Sequence, residues 1–239
     1  RHGLVTVNMA DHKTESVEMR TMRNTQRLLS TVAVQSVYVD DSDLLWVGTA
    51  KSGVAYLGNN IYKFTSEMIG DVTAMAQDST GHIWFGTNDN GIEGYDGPLA
   101  SLKVTCMAFM SDGSLWVGSR QNGLTRIKNG TARIYSTQSS GSTIINDHIN
   151  DMCTDKTGNL WIATDGGIQM FNLRMEQFSK YTKDNSKLRT NIITSLHYAS
   201  GNRMLIGTSE GLAILNVSNA QTSFYTGNST NLQKFTNNY

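Results

Sequence analysis

Apolar and polar positions alternate along this chain in short runs, each closed by Gly, Asp, Asn or Ser. No window carries apolar residues at helical spacing for three turns. The runs Val34 to Val39, Val72 to Ala76, Val104 to Phe109, Ile149 to Thr154 and Ile192 to Tyr198 read as strands. A turn follows each of them: Asp40-Asp41-Ser42-Asp43, Asp78-Ser79-Thr80-Gly81, Ser111-Asp112-Gly113, Asp155-Lys156-Thr157-Gly158 and Ser200-Gly201-Asn202. Next comes one recurring phrase, read as Leu45-Trp46-Val47-Gly48-Thr49, Ile83-Trp84-Phe85-Gly86-Thr87, Leu115-Trp116-Val117-Gly118-Ser119, Leu160-Trp161-Ile162-Ala163-Thr164 and Met204-Leu205-Ile206-Gly207-Thr208. A glycine then recurs at Gly53, Gly91, Gly123, Gly167 and Gly211, followed by a third run and, in most copies, a fourth such as Gln177 to Tyr181. The longest stretch open to a helical reading, Ser16 to Leu29, is mostly polar.

Four short strands joined by tight turns form an antiparallel meander. One such unit buries a face only by stacking on its neighbours, and repetition about an axis gives a β-propeller. The expected fold is all-β, a propeller of four-stranded blades. Residues 1–239 are read as one domain, with blades near 1–30 (half), 31–70, 71–103, 104–148, 149–190 and 191–239. The half blade rests on Arg1 to Asn8, which matches the stretch Glu210 to Asn216 after the fifth phrase. Five full blades and a half are thus expected, as part of a larger propeller of roughly seven. Intervals between phrases are 38, 32, 45 and 44 residues, so the second is short. It predicts a stunted outer strand after Gly91, or residues absent around 97–102.

Composition fits this picture and removes several function classes. The 22 glycines against a single proline suit a turn-dense β protein. The 20 basic residues cancel the 20 acidic ones, and no Lys/Arg stripe suggests nucleic acid. No stretch of this segment approaches the roughly 20 apolar residues of a membrane span. No signal peptide is visible at Arg1, which excludes nothing, since the repeat is expected to begin inside a unit. Cys106 and Cys153 both fall in first strands and read as small buried apolar residues.

The phrase Asp-x-x-Gly-x-Leu/Ile-Trp-Ile/Val-Gly-Thr-x-x-x-Gly-Leu is best kept from Asp78 to Ile92 and from Asp155 to Ile168. It resembles the two-component regulator propeller repeat, and the five copies in register extend the resemblance over nearly the whole chain. Two departures stand out, Leu205 where Trp is expected and Ala163 where Gly is. The resemblance implies the periplasmic, or more broadly extracytoplasmic, sensor region of a hybrid two-component histidine kinase. It implies a non-catalytic segment without metal or cofactor, with any kinase elsewhere on the polypeptide. The implied partners are an oligosaccharide, the remainder of the same polypeptide and a second copy through the full-length receptor. An assembly propeller without a small ligand is the alternative reading.

The repeat residues Trp46, Gly48, Trp84, Gly86, Trp116, Gly118, Trp161, Leu205 and Gly207 are read as structural: indoles pack between blades, and glycines admit a neighbouring backbone. Ligand-facing positions are expected on the face shared by the second-to-third turns and the blade connections. They are Lys51, Asn88, Asp89, Asn90, Arg120, Gln121, Asn122, His148, Asp165 and Glu210. Their amide, carboxylate and guanidinium groups suit sugar hydroxyls, each bond contributing about 1 kcal/mol net. A metal-dependent lyase would need histidines and carboxylates together. Here His148 alone is well placed, and the sequence gives it no close partner. Glycoside hydrolysis needs paired carboxylates, whereas Asp89, Asp165 and Glu210 belong to separate blades. Ser111 to Trp116 does not keep a sialidase Asp-box spacing. The acidic turn Asp40 to Asp43 reads as an ordinary turn rather than a calcium loop.

Overall fold

The computed structural model describes residues 4–16, 33–50, 53–58, 61–65, 70–93, 99, 101–139 and 144–225. All regular structure among them is β. β1 (Val5–Val7) and β2 (Thr14–Ser16) form an antiparallel ribbon. β3 (Val34–Val39), β4 (Leu45–Thr49), β5 (Val54–Gly58) and β6 (Ile61–Thr65) come next as a four-stranded meander. β7 (Val72–Gln77) pairs with β8 (Ile83–Thr87), and an isolated bridge joins Gly86 to Ile92 where a third strand would begin. Three more four-stranded meanders complete the described chain. One is β9 (Val104–Phe109), β10 (Leu115–Ser119), β11 (Leu124–Lys128) and β12 (Thr131–Tyr135). The next is β13 (Ile149–Thr154), β14 (Leu160–Thr164), β15 (Gly167–Asn172) and β16 (Gln177–Tyr181). The last is β17 (Ile193–Ala199), β18 (Arg203–Thr208), β19 (Gly211–Asn216) and β20 (Thr222–Tyr225). The chain forms two compact units, 1–105 and 106–239. The expectation for Ser16 to Leu29 beyond Ser16, and half of the expectation for 97–102 (97, 98 and 100), lie outside the described residues.

Two side-chain locks written in the repeat recur among the sheets. In the first, an aspartate closes the turn between first and second strands and also receives the indole. Asp78 Oδ1 accepts from the Thr80 and His82 N–H groups, while its Oδ2 accepts from Trp84 Nε1 at 3.0 Å. Asp40 with Trp46 and Asp155 with Trp161 repeat this, both at 2.8 Å. The third copy departs, because Met110 stands at the aspartate position. There Ser114 Oγ accepts from Trp116 Nε1 and donates to Asp112. In the fifth copy Ala199 replaces the aspartate and Leu205 the tryptophan. In the second lock, the Thr or Ser ending the phrase donates to the glycine carbonyl across the next turn. The bonds are Thr49 to Gly53, Thr87 to Gly91, Ser119 to Gly123, Thr164 to Gly167 and Thr208 to Gly211, at 2.7–3.0 Å.

These locks make stability depend on acid. Hydrogen bonds from the Thr80 hydroxyl and Trp84 hold Asp78 well below the usual carboxylate range. Burial alone would raise Asp40, Asp112 and Asp155, but their hydrogen bonds outweigh it and all three are lowered. Asp151 runs the other way, raised by burial despite N–H bonds from Leu196 and Met152. With four depressed groups against one raised, net stability is present above the unfolded pKa of about 3.9 and is lost as pH falls below it. Urea unfolding midpoints are therefore expected to drop between about pH 5 and pH 2. The slope should flatten in the Asp78→Asn, Asp155→Asn double variant, and an unchanged slope would contradict the assignment.

Within each unit the sheets pack face to face. In the second unit Trp116 is fully buried against Tyr135 of its own sheet and Phe171 of the next, with ring centroids 5.6 and 4.7 Å away. Trp161 occupies the equivalent cluster one sheet on, with Ile193, Leu196, Met204 and Ile206. In the first unit Trp46 meets Phe85 of the following sheet at 5.9 Å. Gly118 shows why the phrase needs a glycine: a Cβ there would lie 2.6 Å from Cys106 Sγ and from Ile149 Cγ2 of the next first strand. First strands are also tied to one another near their starts. Ser36 Oγ donates to Val72 O, Thr73 Oγ1 to Val104 O and Asn150 Nδ2 to Ile193 O, at 2.7–3.1 Å. Cys106 and Cys153 are free thiols, and burial pushes the Cys153 thiol up to about 12.

Candidate functional site

In the second unit the turn between β10 and β11, the connection before β13 and the turn between β14 and β15 are joined in a row. The Gly123 N–H donates to Asp147 O at 3.0 Å. The Asp147 carboxylate accepts from the Thr137 N–H and hydroxyl, which fixes the connection. Ile145 N donates to the buried Gln169 side chain at 2.9 Å, anchoring the same segment onto β15. Asn146 Oδ1 then accepts from the His148 N–H at 2.7 Å and sets the backbone that enters β13.

The centre of the row is an ion-pair geometry. His148 Nδ1 lies 2.7 Å from Asp165 Oδ2, and both side chains keep roughly a third of their surface exposed, 35% and 37%. The other carboxylate oxygen, Oδ1, accepts from Asn150 Nδ2 at 2.8 Å. Asn150 is the extra residue of a bulge in β13, where the register shifts between Ile149 and Asp151. Bulges re-aim side chains at functional rims. Asn150 uses its two amide hydrogens on different elements, Asp165 and the Ile193 carbonyl. Asp165 is thereby held from two sides, while the imidazole presents its second nitrogen away from this bond.

The reading of His148 as lacking a close partner is corrected by this pair. The partner is invisible in sequence because 16 residues and a strand pair separate the two, and only the β13–β14 register brings them opposite. Asn150 was missed outright, although a polar residue second in a first strand recurs as Thr73. The other predicted positions are distributed differently. Arg120, Gln121 and Asn122 are exposed on the turn that neighbours Asp147, and the Asn122 N–H donates to Ser119 Oγ. Glu210 is exposed on the β18–β19 turn, its N–H bonded to Thr208 Oγ1. In the first unit Asn88 Nδ2 is 3.4 Å from Asp89 Oδ1, and the Asn90 N–H donates to Thr87 Oγ1. Lys51 lies outside the described residues. Among the described residues no group of three or more His, Cys, Asp or Glu side chains is placed to hold a metal ion.

A family model described as two component regulator propeller matches residues 66–89 and 143–166, spanning the second turn lock and the His148–Asp165 segment. Two segments of the chain are thus similar to the two component regulator propeller repeat. No curated protein sequence matches the chain. Among solved structures, the extracellular domain of a protein described as the hybrid two component system BT3049 from B. thetaiotaomicron is 22% identical with a TM-score of 0.71. That match covers 87% of this chain and 30% of the other. Virginiamycin B lyase from Staphylococcus aureus is 15% identical with a TM-score of 0.70, covering 95% of this chain and 78% of the lyase. PorZ of the type-IX secretion system of Porphyromonas gingivalis is 18% identical with a TM-score of 0.66, covering 96% of this chain and 36% of PorZ. These likenesses show the fold, a β-propeller of four-stranded antiparallel blades. The chain spans about a third of the length of the first of these structures.

Proposed function

We propose that this chain is part of an extracytoplasmic, non-catalytic sensor propeller whose turn face binds a soluble ligand, an oligosaccharide, and passes the signal to a kinase elsewhere on the polypeptide. The observation that carries this is the joined row of Asn146, His148 and Asp165, in which amide, imidazole and carboxylate groups are pre-oriented by backbone and side-chain bonds. Sugar hydroxyls both donate and accept, so a surface of mixed donors and acceptors held in place suits them. The matches to the repeat model and the likeness to the extracellular domain of the hybrid two component system BT3049 support the same reading. Binding shifts a signalling equilibrium only through different affinity for its two states, so the remainder of the receptor supplies the conformational change.

The test is calorimetric titration of the chain with a panel of oligosaccharides. Saturable binding is expected for at least one. For that sugar, His148→Ala should weaken binding about ten-fold or more, the equivalent of one or two lost hydrogen bonds, while leaving the melting temperature nearly unchanged. Silence across the panel, or unaltered affinity in the variant, would reject the oligosaccharide rim.

A further inference from the structure

A second site emerges from comparing two successive blade interfaces in the second unit. At the earlier interface, between the β9–β12 and β13–β16 sheets, Trp116 and Tyr135 are covered by two phenyl rings of the next sheet. Phe171 lies 4.7 Å from Trp116, and Phe178 meets Trp116 and Tyr135 edge-on at 6.3 and 5.4 Å. Register fixes the equivalent residues one interface later. Trp161 stands for Trp116 and Tyr181 for Tyr135, since Leu124 opposite Tyr135 corresponds to Ile168 opposite Tyr181. The pair Phe171 and Phe178 becomes Leu215 and Thr222. An indole and a phenol are thus retained, and the two rings that should cover them are replaced by smaller side chains.

The space left is real. A cleft of about 280 Å³ is lined by Trp161, Tyr181, Leu215 and Thr222, with exposed Lys187 at its mouth. The groove at the earlier interface stops short: it is lined by Tyr135, Phe171 and Phe178, and Trp116 is not among its walls. The fifth blade does carry an aromatic on this strand, but two residues further along at Phe224, beneath the Arg189 guanidinium and outside the cleft lining. An apolar cavity of about 150 Å³ accommodates benzene, whereas drug-sized pockets begin near 300 Å³. The size therefore selects one ring with a short substituent.

We propose that this cleft binds a small molecule through a single aromatic ring carrying an anionic group, with the ring meeting Trp161 and Tyr181 edge-on as Phe178 meets their counterparts, and the anion facing Lys187. The site is separate from the turn face and does not depend on its ligand. Phenylacetate is the probe, titrated into the full chain and followed by calorimetry and by broadening of its ring-proton signals. Saturable binding is expected with a dissociation constant on the order of 1 mM. Thr222→Phe, which restores the ring of the earlier interface, should weaken binding at least ten-fold without lowering the melting temperature. Lys187→Gln should weaken phenylacetate binding but not that of benzyl alcohol. Absence of saturation in the parent chain, or full affinity in Thr222→Phe, would overturn the site. If Thr222→Phe does not fold, the Lys187→Gln comparison decides, and equal losses for both probes would overturn the anion contact.

Discussion

Replacing Trp116 with alanine is expected to lower the free energy of unfolding by about 3–5 kcal/mol, the range for removing a buried aromatic. The indole has no exposed surface and touches residues of two sheets: Tyr135 on its own, Phe171 and Phe178 on the next. Its loss would leave a cavity whose rings are pinned by backbone ladders, so collapse can fill little of it. The buried Arg126 guanidinium also lies over the indole face, 5.4 Å from its centroid. Arg126 would keep its bonds to Asp112 and Glu176 but lose that aromatic cover. Trp116→Phe should cost much less, because it retains a ring and gives up mainly the 3.1 Å bond from Nε1 to Ser114. Urea titration of both variants checks the pair. A loss under about 1 kcal/mol for the alanine variant would show that blade-to-blade packing does not run through this indole.

Gly123→Ala is the second large effect, at about 2–5 kcal/mol. Two costs add there. Gly123 has φ +74°, where an L side chain costs roughly 1–2 kcal/mol. An added Cβ would also lie 2.2 Å from the Tyr135 carbonyl oxygen, a backbone atom in a strand ladder that cannot swing aside. Overpacking of this kind costs about 1–3 kcal/mol. Gly113→Ala isolates the first cost: its φ is +76°, and a Cβ there would meet nothing within 4 Å. Only about 1 kcal/mol is expected for Gly113→Ala. Equal denaturant midpoints for the two variants would remove the steric contribution. Gly123→Ala should also displace Asp147, whose backbone carbonyl receives the Gly123 N–H.

What the sequence reveals divides along the range of the interactions. The strands, their turns and the repeat were legible because each blade is built from contacts within about 45 residues. Alternation, Gly and Asp placement and the Trp phrase are local signals. The structural role of Trp116, Trp161 and Gly118 is carried by the same pattern. The destination of the indole N–H is not: Asp78 and Asp155 read as turn residues, and only the fold shows one carboxylate oxygen on the turn and the other on the ring. Counting turns places His148 in the connection before β13, but its pairing with Asp165 depends on register and on the bulge at Asn150. The cleft beside Trp161 was out of reach altogether. It arises from Leu215 and Thr222 being small relative to Phe171 and Phe178, a difference that matters only once the strands are aligned across blades.

The bond between turn aspartate and indole has a consequence for how such repeats diverge. Losing the tryptophan alone would strand a desolvated carboxylate oxygen, and losing the aspartate alone would strand a buried N–H; each leaves a polar group without compensation. The fifth copy carries neither, with Ala199 and Leu205 in their places. The third, with Met110 at the aspartate position, supplies a relay through Ser114 instead. Within this chain the two positions are thus kept, rerouted or discarded together.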